Sequence, residues 1–298
     1  MKIELYNDNF QNFKRYNIPK AQLVIADIPY NIGNNFYGSN PMWYKGGDRM
    51  NGESRLAGKA AFNSDFNFNI AEYFHFCNRL LKKEPKKGGA RGKNGAPTET
   101  QCNGFSGVED DLPERRAFRR KPEMSQKGKG GRSDAPCMIV FCSFEQLHAV
   151  RKYAEKHGFV HSMPLIFCKN YSPQVLKANM RICGAAEYAL VLYRDKLPKF
   201  RNDGKMIFNW FEWKRDSAKE YPKIHPAQKP VNVLKRLISI FTDEGDVVID
   251  PCAGSGTTLR ACMELGRDGY GFEISREFYR RAKDEMLTVK DEQLRWTV

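Results

Sequence analysis

An α/β fold organised around a mostly parallel sheet is predicted by three features of this sequence. Short apolar runs of strand character alternate with stretches of helical periodicity along most of the chain. A loop containing Gly-x-Gly, in Asp250-Pro251-Cys252-Ala253-Gly254-Ser255-Gly256-Thr257-Thr258, joins the apolar run Asp246–Ile249 to the helix-like run Leu259–Leu265. A carboxylate, Asp27, stands at the end of the early apolar run Leu23–Ala26, where open α/β sheets place their chemistry.

The elements follow in order. Ile3–Tyr6 and Leu23–Ala26 read as strands, and Ile70, Tyr73, Phe74, Cys77, Leu80 and Leu81 stripe an amphipathic helix. Met138–Cys142 reads as a strand, followed by a helix from Phe144 to His157 that stops at Gly158. Leu165–Cys168 and Tyr188–Tyr193 are further strands. Leu234, Leu237, Ile238 and Phe241 stripe the helix that precedes the Asp246 strand and its glycine loop. No internal repeat is present.

Two segments depart from this alternation. Residues 84–136 are rich in glycine, lysine and arginine and poor in large apolar residues, so they cannot bury a core of their own. They read as a mobile basic insertion suited to phosphates, or as an inert solvated loop. Residues 194–223 mix nine lysines and arginines with five acids, and set Phe200, Phe208, Trp210, Phe211, Trp213 and Tyr221 among them. Interleaved charge and rings suit a nucleic-acid surface, while a small satellite core capped by charges is the alternative.

Composition narrows the function. The 298 residues carry 49 lysines and arginines against 35 acids, a net charge of +14 that favours a polyanionic partner over a small neutral substrate. No apolar run approaches the roughly 20 residues that cross a bilayer, and the first residues lack the apolar stretch of a signal peptide, so no membrane partner and a cytoplasmic location are expected. Eight cysteines form no C-x-x-C pair and five histidines lack ligand spacing, so no metal site is expected and the thiols read as buried and reduced.

Asp27-Ile28-Pro29-Tyr30 has the parts that an exocyclic amine on a planar base requires. A carboxylate and a backbone carbonyl can accept its two N–H hydrogens, the proline restricts the turn, and the ring can stack on the base. Taken alone, the four residues could equally be a turn with a tyrosine over its edge.

Together with Asp250–Thr258 they resemble the DNA amino-methyltransferases of the beta class, in which the D-P-P-Y motif precedes the cofactor motif in a circularly permuted order. Asn31 extends the first motif, His225-Pro226-Ala227-Gln228-Lys229-Pro230 is similar to the family's H-P-x-x-K-P segment, and Gly269–Ser275 is similar to its second cofactor strand. The resemblance implies a Rossmann-like methyltransferase sheet, S-adenosyl-L-methionine as cofactor and double-stranded DNA as partner. A homodimer and a cognate restriction enzyme remain open. It assigns catalysis to Asp27, Ile28, Pro29 and Tyr30, and cofactor binding to Asp8, Gln228, Lys229, Asp250, Cys252, Gly254, Gly256, Thr257 and Glu273. In the family the acid corresponding to Glu273 accepts hydrogen bonds from both ribose hydroxyls.

Two departures stand out: Ile28 replaces the first proline, and Cys252 stands where the cofactor loop usually carries phenylalanine. Aspartate at the motif's first position resembles adenine-N6 enzymes more than cytosine-N4 enzymes, which usually carry serine there. The resemblance therefore implies direct in-line methyl transfer to N6 of a flipped-out adenine in a specific DNA sequence. Composition and the resemblance together divide the chain into a catalytic part (1–83), the basic insertion (84–136), the rest of the sheet (137–193), a candidate target-recognition segment (194–223) and a cofactor-binding part (224–298).

Competing readings are a cytosine-N4 enzyme, a non-catalytic nucleic-acid binder on the same scaffold, and methylation of RNA or of a protein glutamine amide. A dinucleotide dehydrogenase would leave Asp27–Tyr30 and the basic excess unexplained. A P-loop would need a lysine before Thr257 and Thr258. Cytosine-C5 chemistry needs a nucleophilic cysteine, whereas Cys137 leads into a strand and Cys252 lies in the cofactor loop.

Overall fold

A computed structural model describes residues 1–29, 68–85, 134–171, 174–177, 182–225 and 227–288. These residues belong to one compact unit, Met1–Pro85 with Ser133–Val298. Tyr30, Asn31, Pro226 and the interior of the basic insertion lie outside the described residues.

Ten strands are described: β1 Ile3–Tyr6, β2 Leu23–Asp27, β3 Cys137–Cys142, β4 His161–Lys169, β5 Gln174–Lys177, β6 Ile182–Gly184, β7 Ala186–Tyr193, β8 Trp210–Trp213, β9 Val247–Asp250 and β10 Asp268–Phe272. The helices are α1 Ile70–Leu80, α2 Leu147–Lys156, α3 Val231–Phe241, α4 Thr257–Glu264 and α5 Arg276–Arg281. Eight strands form one sheet in the order β1-β10-β9-β2-β3-β7-β4-β8, and β5 pairs with β6 as a separate hairpin. Within the large sheet β7 pairs antiparallel with both β3 and β4, and every other pairing is parallel. The mostly parallel α/β sheet expected from the sequence is therefore observed.

Strand alternation distributes the core. On β2, Val24, Ala26 and Ile28 pack with Tyr73, Phe74, Phe76 and Cys77 of α1, while Leu23 and Ile25 pack on the opposite face with Leu234, Leu237 and Ile238 of α3. Asp27 therefore belongs by alternation to the α3 face. Helix α1 starts where the Asn69 side chain accepts from the N–H groups of Ala71 and Glu72. No described helix is long and apolar enough to cross a membrane.

The segment 194–223 joins the main sheet through β8, which pairs in parallel with β4. Trp213 and Tyr221 are buried in the α3-side core, with Phe200 and Phe211 packed against it, whereas Phe208 and Trp210 are exposed and stacked on each other. Aromatic count alone could not separate these two fates. The flanks of the insertion are tied down: the Gln22 side chain donates to the Asp134 and Ala135 carbonyls, Ala135 bridges to Pro198, and Lys196 N–H donates to Glu84.

Candidate active site

Parallel pairing of β2 with both β3 and β9 brings Asp27 and Asp250 to the same end of the sheet. Asp27 occupies the last position of β2, and β2 continues one hydrogen bond further because Ile28 N–H donates to the Phe141 carbonyl at 3.2 Å. Isoleucine thus keeps a donor that the family's proline lacks, and the sheet uses it. Ile28 is buried in the α1-side core. The Gln146 side chain donates to the Pro29 carbonyl at 2.9 Å and accepts from Ser143 N–H at 3.1 Å.

Facing Asp27 is Lys229, placed by the turn before α3. Pro230 precedes the helix, and the Asp216 carboxylate accepts from Val231 N–H at 2.7 Å. Lys229 Nζ lies 2.5 Å from Asp27 Oδ2 and 3.9 Å from a Glu187 oxygen, between the rings of Phe141 and Trp213. Glu187 also pairs with Lys169. Burial pushes the Asp27 carboxyl up, with the Lys229 ammonium acting against it. Among the described residues, Asp27 Oδ1 is buried without a hydrogen-bond partner. One carboxylate oxygen is thus paired and the other remains an acceptor.

The glycine loop lies between β9 and α4. Asp250 accepts from Cys252 N–H at 2.9 Å through Oδ1 and from the Thr258 hydroxyl at 2.5 Å through Oδ2, and burial pushes its carboxyl up to about 7. Gly254 and Gly256 have φ of +51° and +77°, in the left-handed region that other residues avoid. A Cβ at Gly254 would meet nothing within 4 Å, so the loop leaves its backbone approachable. Thr257 opens α4 and is buried. Cys252 is only partly exposed as a residue, but its thiol is held far above the usual range by burial and by Asp250. Cys137 is buried within β3, where burial likewise raises its thiol, an environment opposite to the one that activates a nucleophilic cysteine.

Glu273 follows β10. Its carboxylate accepts from Ser275 N–H at 2.7 Å, and burial pushes it up to about 7 against the hydrogen bonds from Ser275 and Gly254. Asn7 donates to the Glu273 carbonyl, tying the turn after β1 to this loop. In that turn Asp8 accepts from Asn9 N–H, the Asn12 amide and the Tyr16 hydroxyl, so its carboxylate shapes the turn. Gln228 is committed to its own loop: it accepts from Ile224 and His225 N–H groups and donates to Pro222. Lys229, expected at the cofactor, stands against Asp27.

Gln146, Glu187, Lys169 and Thr258 also neighbour the site, and no local sequence motif marks the first three as part of it. Thr258 was within the quoted loop motif. Gln146 carried a local signal, the Ser143-x-x-Gln146 pattern of a capping box, but nothing local links it to a proline 117 positions away.

A family model described as DNA methylase, of the N6/N4 type, matches residues 131–284. DNA adenine methyltransferase YhdJ of Escherichia coli (strain K12) is 27% identical over 281 residues, covering 93% of this chain and 80% of that protein. Type II methyltransferase M.HindIII of Haemophilus influenzae is 47% identical over 67 residues, 22% of each chain. Two solved structures share the fold: an M1.HpyAVI–SAM complex, with a TM-score of 0.57 at 20% identity over 94% of this chain and 97% of that one, and the cytosine-N4-specific PvuII DNA methyltransferase, with a TM-score of 0.56 at 14% identity over 99% and 90%.

Proposed function

The chain belongs to the N6/N4 DNA methylase family, and from that premise we propose that it transfers the methyl group of S-adenosyl-L-methionine to N6 of adenine within a specific sequence of double-stranded DNA. The observation that carries this reading is Asp27 Oδ1, a buried carboxylate oxygen without a partner among the described residues, at the strand end beside the glycine loop. It is an acceptor held ready for an N–H donor. The aspartate in place of serine and the adenine named for the YhdJ relative both favour adenine.

The residues present fit the cofactor. The loop Asp250–Thr258 offers approachable backbone at Gly254, the start of α4 offers N–H groups, and Glu273 offers a buried carboxylate for a ribose diol. When bound, S-adenosyl-L-methionine supplies an electrophilic methyl group on a sulfonium. Asp27 Oδ1 and the Ile28 carbonyl accept the two N6 hydrogens of a flipped-out adenine, directing the nitrogen lone pair and stabilising the positive charge that develops there. Lys229 holds the other oxygen of Asp27 so that the carboxylate cannot rotate away. Tyr30 is assigned to stacking on the base. No covalent enzyme intermediate is required.

Lys214, Arg215, Lys219 and Lys223 follow β8, whose C-terminal end faces the same way as that of β2, and are assigned to the DNA backbone. The type II label of M.HindIII supports a restriction–modification setting. Incubation with unmethylated DNA and isotopically labelled S-adenosyl-L-methionine, followed by nucleoside digestion and mass spectrometry, tests the reading. Labelled N6-methyladenine is expected. N4-methylcytosine would overturn the base assignment, and unlabelled DNA would overturn the reaction.

A further inference from the structure

We propose that Gln146 is a positioning residue for methyl transfer, which ends the β2–β3 ladder one bond early so that the Ile28 carbonyl stays free for the target amine. The inference rests on the methyltransferase reading above and assigns a function to a side chain that does not touch substrate.

The pairing register carries it. In a parallel pair, alternate residues of one strand supply both the donor and the acceptor to the other. On β3 these are the odd-numbered residues: Cys137 N–H donates to the Gln22 carbonyl, and the Phe141 carbonyl accepts from Ile28 N–H. The next member of this series is Ser143, and its N–H would fall to the Ile28 carbonyl. Instead it donates to Gln146 Oε1 at 3.1 Å. No hydrogen bond from a described residue reaches the Ile28 carbonyl oxygen.

The other half of the same amide acts one residue further along. Gln146 Nε2 donates to the Pro29 carbonyl at 2.9 Å. The peptide between Ile28 and Pro29 therefore sits between two anchored neighbours, with Ile28 N–H held by Phe141 and the Pro29 carbonyl held by Gln146. This compensates for isoleucine at position 28, where a proline ring would otherwise restrict the backbone. Gln146 is kept in place by its own N–H, which donates to the Ser143 hydroxyl at 3.3 Å, completing a reciprocal capping box at the entrance to α2. A capping box alone needs only Oε1, and the reach of Nε2 to Pro29 is additional.

Two variants separate these contributions. Gln146→Glu keeps an acceptor for Ser143 N–H, and with it the capping box, but loses the donor to Pro29. Gln146→Leu loses both and releases Ser143 N–H toward the Ile28 carbonyl. With wild type assayed alongside, kcat on DNA is expected to fall about tenfold for Gln146→Glu and about a hundredfold for Gln146→Leu, the scale on which small misplacements of reacting groups act. Cofactor Kd should change less than about twofold in both, and the Gln146→Glu melting temperature should stay close to wild type. Wild-type kcat in Gln146→Glu and Gln146→Leu would overturn the inference alone, as would a loss matched by an equal loss of cofactor affinity. A wild-type protein that leaves DNA unlabelled would overturn the methyltransferase reading and the inference with it.

Discussion

Lys229 Nζ lies 2.5 Å from Asp27 Oδ2, joining residues 202 positions apart in the chain. The pair forms because β2 delivers the carboxylate to the α3 face while the turn before α3 delivers the ammonium. Burial raises the carboxyl and Lys229 opposes that rise. Removing Lys229 therefore raises it further, so less of Asp27 is ionised at a given pH. In Lys229→Met, the acidic limb of the kcat profile should move to higher pH, with activity partly restored as the pH is raised. Superimposable profiles for Lys229→Met and wild type would refute the coupling. The uncompensated carboxylate should also reduce stability by about 2–3 kcal/mol, toward the low end for a broken buried pair because Asp27 keeps some solvent contact.

Glu273 and Asp250 are both pushed up to about 7 by burial. A carboxyl whose folded pKa exceeds its unfolded value holds a proton in the folded state that the unfolded chain has already released, so its contribution to stability falls as pH rises from the unfolded value toward 7. The melting temperature of the cofactor-free protein should therefore fall across pH 5–7, and Glu273→Gln should flatten part of that fall. Cofactor binding should respond in the opposite direction. With Glu273 assigned to the ribose diol, its ionised form is the better acceptor for the two hydroxyls, so calorimetric affinity should rise between pH 6 and 8 in wild type and lose that dependence in Glu273→Gln.

The two glycines of the cofactor loop should differ when substituted. Gly254→Ala places its methyl in open space, so its stability cost should be confined to the left-handed backbone, about 1–2 kcal/mol, with the larger effect on cofactor affinity. At Gly256 the same strain is joined by an Ala282 Cβ at 3.2 Å, within a packed neighbour. Thermal denaturation should rank Gly256→Ala below Gly254→Ala. Equal melting temperatures would remove the packing argument.

Arg215 stacks over the Tyr171 ring at 3.6 Å. With Arg215 assigned to a DNA phosphate, Arg215→Ala should weaken binding to all DNA sequences alike and lower the slope of log K against log salt by about 1. A titration with an unchanged slope would place its contribution in packing against Tyr171.

The sheet was legible because its strands are apolar runs and its helices are striped: β1, β2 and β9 coincide closely with the apolar runs Ile3–Tyr6, Leu23–Ala26 and Asp246–Ile249, and β10 with the Gly269–Ser275 segment that carries the family resemblance. Strand β8 escaped because Trp210–Trp213 is a short edge segment inside charged sequence, where its aromatics read equally as surface or core. The glycine loop, Asp27 and Glu273 were legible as motifs. Residues that act on them through long-range contacts were not. Glu187 reaches Lys229 only because β7 runs beside β3 and β4, and Gln146 reaches Pro29 only because β3 runs beside β2.

The pairing of β1 with β10, and of β2 with β9, also sets an order of events during synthesis. Strands made first must wait for partners made last, so their backbone edges stay open until the C-terminal third of the chain has left the ribosome. A nascent or prematurely terminated chain that stops before β9 carries Asp27 but neither the glycine loop nor Glu273. Completion of the chain through β10 is thereby required to bring Asp27, the glycine loop and Glu273 to one end of the sheet, and shorter chains leave backbone edges of β1 and β2 unpaired.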